Sequence, residues 1–190
     1  MPPEEKISLH TQVALALVCA LAYFYAYQLN MYWFEWSEFS YGTNWVFIPS
    51  GLRLLLVLVL PLTGALGIAA ASMVINYGFN VDAHAYNIVT SLISAAAPYL
   101  SRHIAVQFLQ LNPLLTGLTS AGFFKLSVLF AIVNALLHQI WFAWYGLSQD
   151  WLSSSVVMGV GDWVGAVLVL ASASLVIKGY KFTAGSVTDR

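Results

Sequence analysis

Apolar residues along this chain gather into long runs, and the polar residues between them are few. The first run, 13–29, follows a short polar start of Pro2, Pro3, Glu4, Glu5 and Lys6. It has the outline of a secretory leader. No small-x-small cleavage site follows, however; the chain continues into Asn30-Met31-Tyr32-Trp33, so the run reads as a retained span. As a single helix, residues 45–77 would reach roughly 50 Å, too long for a hydrocarbon core of ~30 Å. Pro61-Leu62-Thr63-Gly64 punctuates their middle. Two short spans, 45–60 and 62–77, joined by a tight turn, are expected, with a re-entrant hairpin as the rival reading. Runs at 85–100, 123–145 and 152–177 complete six spans. The stretch 104–119 mixes apolar residues with Gln107, Gln110, Asn112 and Pro113 and is expected to lie at the interface.

Composition agrees with this pattern. Of 190 residues, 60% are hydrophobic and 8% charged, where a soluble domain has roughly 25% charged. So few charges cannot cover a water-exposed surface. A soluble enzyme is thereby excluded. The net charge of -1 and the lack of a basic cluster give no footing for a nucleic acid. The expected architecture is all-α: a single polytopic membrane domain of about six helices, with the lipid bilayer as its first partner.

The basic residues provide an independent check. With the N-terminus cytoplasmic, Lys6, Arg102, Lys125, Lys178, Lys181 and Arg190 all fall inside, and Arg53 lies within a span. The outer loops then hold Glu35, Glu38, Asp82 and Asp150. Merging the second and third spans would put Arg102 and Lys125 opposite Lys6. Both termini are therefore expected on the cytoplasmic side of the membrane. Trp33, Trp36, Trp45, Trp141, Trp144 and Trp151 fall at or near the outer span ends, as an interfacial aromatic belt would place them.

Polar groups inside a span are costly, about 2.5–3.5 kcal/mol for a charge on insertion scales. Arg53, His138 and Asp162 fall at matching depth in three spans, roughly 10–15 Å below the outer surface at 1.5 Å per residue. Asn134 lies one turn from His138 on the same face. An Arg53–Asp162 ion pair facing the bundle interior is expected, with His138 and Asn134 as hydrogen-bond partners. Such a cluster either locks helices together or forms the floor of a polar cavity. Pro49-Ser50-Gly51 reads as a helix start, Pro49 in its first turn, or as a break lining a site. Gly161 and Gly165 form a small-xxx-small pair permitting close helix approach, as do Gly64, Gly67 and Ala71, and Ala16 with Ala20.

Catalytic chemistry has little support. The sequence holds no Ser-His-Asp, Cys-His, paired-carboxylate or Gly-rich phosphate pattern at usable spacing. His10, His84 and His103 lie near span ends without metal-ligand spacing, and the one cysteine, Cys19, lies inside an apolar run. No enzyme, no metal and no cofactor are expected. The tail after Ile177 is too short for an output domain.

Three patterns in order carry a resemblance. Trp45-Val46-Phe47-Ile48-Pro49-Ser50-Gly51-Leu52-Arg53 is followed by Gly64-Ala65-Leu66-Gly67-Ile68 and Asn76, and later by Gly161-Asp162-Trp163-Val164-Gly165. Together they are similar to the first type of bacterial membrane-associated sensor domain, a family of integral membrane input modules. Its members join a start containing Trp, Pro and Gly to a short hairpin and a late Gly-Asp-x-x-Gly. The resemblance implies a sensory, ligand-binding membrane module that precedes a kinase or cyclase. With no output domain in this chain, any signal would pass through a membrane or cytoplasmic protein partner. The alternative is a substrate-binding S-component of a vitamin transporter, docking through Ala14, Ala16, Ala20 and Ala22. A third class is a structural accessory subunit of a membrane complex.

Overall fold

A computed structural model describes residues 8–110, 112, 119–147 and 150–188. Six α-helices follow one another: α1 (Leu9–Phe34), α2 (Ile48–Val59), α3 (Pro61–Phe79), α4 (His84–Phe108), α5 (Ser120–Tyr145) and α6 (Trp151–Thr188). A 3-10 turn (Glu35–Ser37) and a small antiparallel hairpin, β1 (Glu38–Ser40) and β2 (Thr43–Asn44), separate α1 from α2. The fold is all-α, as expected.

Local chemistry sets the helix ends. The Ser8 hydroxyl accepts from the Thr11 amide at 3.2 Å and the Thr119 hydroxyl from the Gly122 amide at 3.2 Å, each satisfying an amide that the helix leaves orphaned. Gly146 closes α5 at φ +85°. The amide of Leu147 reaches back to the Phe142 carbonyl at 2.9 Å, the wide loop of a Schellman end. Asp150 accepts from the Ser153 amide at 3.2 Å at the start of α6. The Ser153 hydroxyl and amide hold the exposed Asp150 carboxyl below the usual carboxylate range.

Four helices, α1, α3, α5 and α6, are long and apolar enough to cross a membrane. The fourth expected span, now part of the more polar α4, is not among them, and neither is the second. The first residues of the second, through Phe47, run as non-helical chain out of β2, leaving α2 with 12 residues. At 1.5 Å each that is about 18 Å, little more than half a hydrocarbon core. The proline-marked break is real: Leu60 leaves the helical region (φ -130°, ψ 78°) and Pro61 opens α3. Phe47, just before α2, and Phe79, ending α3, both lie against Tyr27 of α1, at 6.1 and 6.3 Å between ring centres. The pair is therefore a helical hairpin with its tip at Leu60–Pro61.

The fourth expected span, 85–100, is longer than the apolar pattern suggested, because α4 runs through Arg102 and His103 to Phe108. Of the expected interfacial stretch, 104–108 thus belongs to α4. Residues 111 and 113–118, with Pro113, lie outside the described residues, as do Lys6 and Arg190.

Packing makes α2 the central element. α1 lies on α3, α3 on α4, α4 on α5 and α5 on α6, while α2 meets α1, α3, α4 and α6. The contact between α2 and α6 is backbone to backbone. A methyl at Gly51 would collide with the Gly165 carbonyl, one at Gly165 with the Phe47 carbonyl, and one at Gly161 with the Asn44 carbonyl. Glycine at these positions lets main-chain groups touch across the interface. The Phe47 amide donates to the Gly161 carbonyl at 3.3 Å, and the Ser50 hydroxyl to the Asp162 carbonyl at 2.9 Å. Pro49 stands in the first turn of α2, the helix-start reading. On the other side, Gly67 of α3 sits against the Ala16 carbonyl and Cys19 of α1. These small residues serve contacts within the chain. The Ala16–Ala20 face is consequently occupied by α3.

Of the tryptophans expected in an interfacial belt, Trp33, Trp36, Trp45, Trp144 and Trp151 are exposed, whereas Trp141 is not. Its indole is buried and donates to the Thr90 hydroxyl at 3.0 Å. It faces α4 rather than the headgroup zone.

Candidate functional site

The site is built around the N-terminal half of α2. Arg53, one turn past Pro49, is 2% exposed, and its Nη2 stands 3.5 Å from Asp162 Oδ1 on α6. The close glycine contact brings the two helices near enough for this pairing. Asp162 Oδ2 accepts from Asn134 Nδ2 of α5 at 2.6 Å. Three helices thus meet on one carboxylate. Above the guanidinium lie the rings of Phe47, Phe130 and Tyr23, at 5.6, 5.8 and 6.0 Å, within cation–π range.

His138 is placed differently from expectation. Its Nδ1 lies 3.0 Å from the Asn134 carbonyl and its Nε2 3.3 Å from the Ser94 hydroxyl. A carbonyl only accepts, so Nδ1 carries the proton, and a neutral ring lets Nε2 accept from Ser94. His138 therefore does not hydrogen-bond the ion pair directly, because the i-4 carbonyl on its own helix takes Nδ1.

All four residues line one cavity of about 320 Å³. Arg53, Asn134, His138 and Asp162 sit at its buried end. Its other end reaches Glu35, Glu38, Tyr41 and Gly42, which are exposed. Tyr23, Tyr27, Phe47, Phe79, Tyr86 and Phe142 supply aromatic walls. Ser72 and Asn76 contribute from α3, and Thr90 and Ser94 from α4. Inside this space, Arg53 Nε, Asn134 Oδ1 and the Ser72 hydroxyl are buried without a hydrogen-bond partner. Leaving a buried polar group unmet costs about 1–3 kcal/mol.

Sequence reading overlooked the contribution of α4. Asn87, Thr90, Ser91, Ser94 and Ser101 are all buried and stand at i, i+3, i+4, i+7 and i+14, a polar stripe on one helix face. That periodicity was present in the sequence. Gln139 was missed too; its Nε2 donates to the Thr43 hydroxyl at 2.9 Å, pinning β2 over the bundle. Glu35 and Glu38 looked like ordinary loop charges, since nothing local shows that the loop folds back over a cavity. Among the described residues, no group of His, Cys, Asp and Glu is arranged to hold a metal ion.

Comparison of the chain with protein-family models, with curated proteins and with solved structures finds no match in any of the three.

Proposed function

We propose that this is a ligand-binding module of the bacterial inner membrane, acting through a protein partner as a sensory input domain does. In this reading both termini lie in the cytoplasm and the cavity mouth opens on the outer face, which the basic-residue distribution supports. A small molecule enters past Glu35 and Glu38 and settles against the Arg53–Asp162 pair. One observation carries this reading: the buried polar residues of α2, α5 and α6 line a cavity that extends to exposed residues. A clasp that merely locked helices would fill its own space. Here, polar atoms around the pair are left unmet.

α6 links the site to the other face. It carries Asp162 and continues as one helix to Thr188, well beyond what a ~30 Å core needs at 1.5 Å per residue. A shift of Asp162 relative to α2 would therefore be felt at the cytoplasmic end, where a partner docks. The S-component alternative is less favoured, because two of the four alanines it would dock through, Ala16 and Ala20, already lie against Gly67. Native mass spectrometry of the protein released in mild detergent tests the proposal. A bound small molecule, displaced on unfolding, is expected. Protein that is folded and carries no molecule, even after incubation with cell extract, would argue for a purely architectural cluster.

A further inference from the structure

We infer that the ligand of this cavity is a small organic cation, an alkylammonium in chemical class. The inference rests on reading the cavity as a ligand site and adds what that ligand must be. Charge comes first. Among the described residues lining the cavity, three carboxylates (Glu35, Glu38 and Asp162) face one guanidinium, Arg53. Asp162 and Arg53 neutralise each other at 3.5 Å. Glu38 spends one oxygen on the Gly42 amide at 3.3 Å, which orders the carboxylate without cancelling its charge. The mouth therefore keeps two uncompensated negative charges, and a cleft of one sign with low-dielectric walls concentrates the opposite ion.

The walls agree. Tyr27 stands edge-on to Phe47 and Phe79, and Tyr86 packs with Tyr41 and Phe142 at 5.9 Å each. Two groups of three rings line the path between mouth and floor, and aromatic faces attract methylated ammonium groups. At the floor, the orientation of Asn134 is fixed by chemistry: a carboxylate only accepts, so Nδ2 must face Asp162. Oδ1 is then an acceptor. It is buried on a residue 2% exposed and has no partner. An N–H or polarised C–H of an ammonium ligand would satisfy it. An anion would meet a carboxylate-lined mouth and a guanidinium whose charge Asp162 already balances, with Nε alone still lacking an acceptor.

The test compares two thiosulfonate reagents of similar size, one bearing trimethylammonium and one bearing sulfonate. Cys19 is the single cysteine, so Ser72→Cys in a Cys19→Ser background places one thiol in the cavity of the full chain in membranes. Thr90→Cys is the substitute if that variant does not accumulate. Rates are normalised to the same thiol in denatured protein. The cationic reagent should react at least about ten-fold faster, the lower end of electrostatic focusing. Glu35→Gln with Glu38→Gln, or high salt, should bring the ratio toward one. Tetramethylammonium should protect the thiol, and the neutral isostere tert-butanol should not. Equal rates, or a faster sulfonate, would overturn the cation assignment while leaving a ligand cavity in place. A thiol that neither reagent reaches until the protein is denatured would remove the cavity reading itself.

Discussion

Arg53 and Asp162, brought together by a glycine-to-glycine contact between α2 and α6, stand 3.5 Å apart with side chains 2% exposed. Removing either leaves the other charge buried without its partner, whereas removing both removes the penalty. Arg53→Leu and Asp162→Leu should each lower thermal stability clearly. The double variant should recover a good part of the loss, with a coupling of about 0.5–3 kcal/mol. Simple additivity in a thermal-melt cycle would mean that the pair makes no energetic contact.

Asn134 and His138 should separate in the same assay. Asn134 donates to an ionised carboxylate at 2.6 Å, and hydrogen bonds to charged groups contribute roughly 1.5–3 kcal/mol. His138 makes two neutral bonds, closer to 1 kcal/mol each on the same scale. Asn134→Leu is expected to cost more than His138→Leu. The reverse order would place His138, not Asn134, on the pair.

The glycine joint makes a sharper contrast. Gly51→Ala or Gly165→Ala forces a methyl into a carbonyl, and overpacking of this kind costs about 1–3 kcal/mol or more. Gly78, on the same hairpin, has nothing nearby. There alanine should be neutral or stabilise by up to about 1 kcal/mol through helix propensity. Membrane yields of the three variants, measured side by side, check the ranking. Equal yields would mean that α2 and α6 do not approach so closely.

Orientation can be read with reporter fusions. If the α2–α3 hairpin returns the chain to the aromatic end before Asp82, the proposed topology needs α4, α5 and α6 each to cross, α4 being the one of the three outside the long apolar set. A fusion after Asp82 and one at the C-terminus should report opposite sides. Agreement between them would mean that one of these three helices does not cross.

Much of this was legible in the sequence, and for physical reasons. Long apolar runs in a chain poor in charge leave helices in lipid as the economical arrangement, and equal depth was enough to pair Arg53 with Asp162. The glycines 161 and 165 announced a close contact, although not that α2 would fill it. Other features depended on distance along the chain. Hydropathy registered 45–60 as an ordinary span because Trp45, Val46 and Phe47 are as apolar in an extended segment as in a helix. Trp141 looked interfacial because its partner, Thr90, is remote in sequence. The α4 stripe of Asn87, Thr90, Ser91 and Ser94 was visible as a period but was passed over, since hydroxyls are cheap enough in a span to draw no notice. The walls of the cavity come from every helix and the β-hairpin. No single segment hints at them.

The most direct test of the central claim, that the ion pair belongs to a ligand site, uses the Arg53→Leu/Asp162→Leu double variant. This variant lacks the charges and is expected to remain folded. Native mass spectrometry of wild-type and double-variant protein, purified identically and confirmed folded by thermal melt, should show a bound small molecule on the first and none on the second. A folded double variant that retains the same molecule at the same occupancy would contradict the account and leave the pair as a clasp between helices.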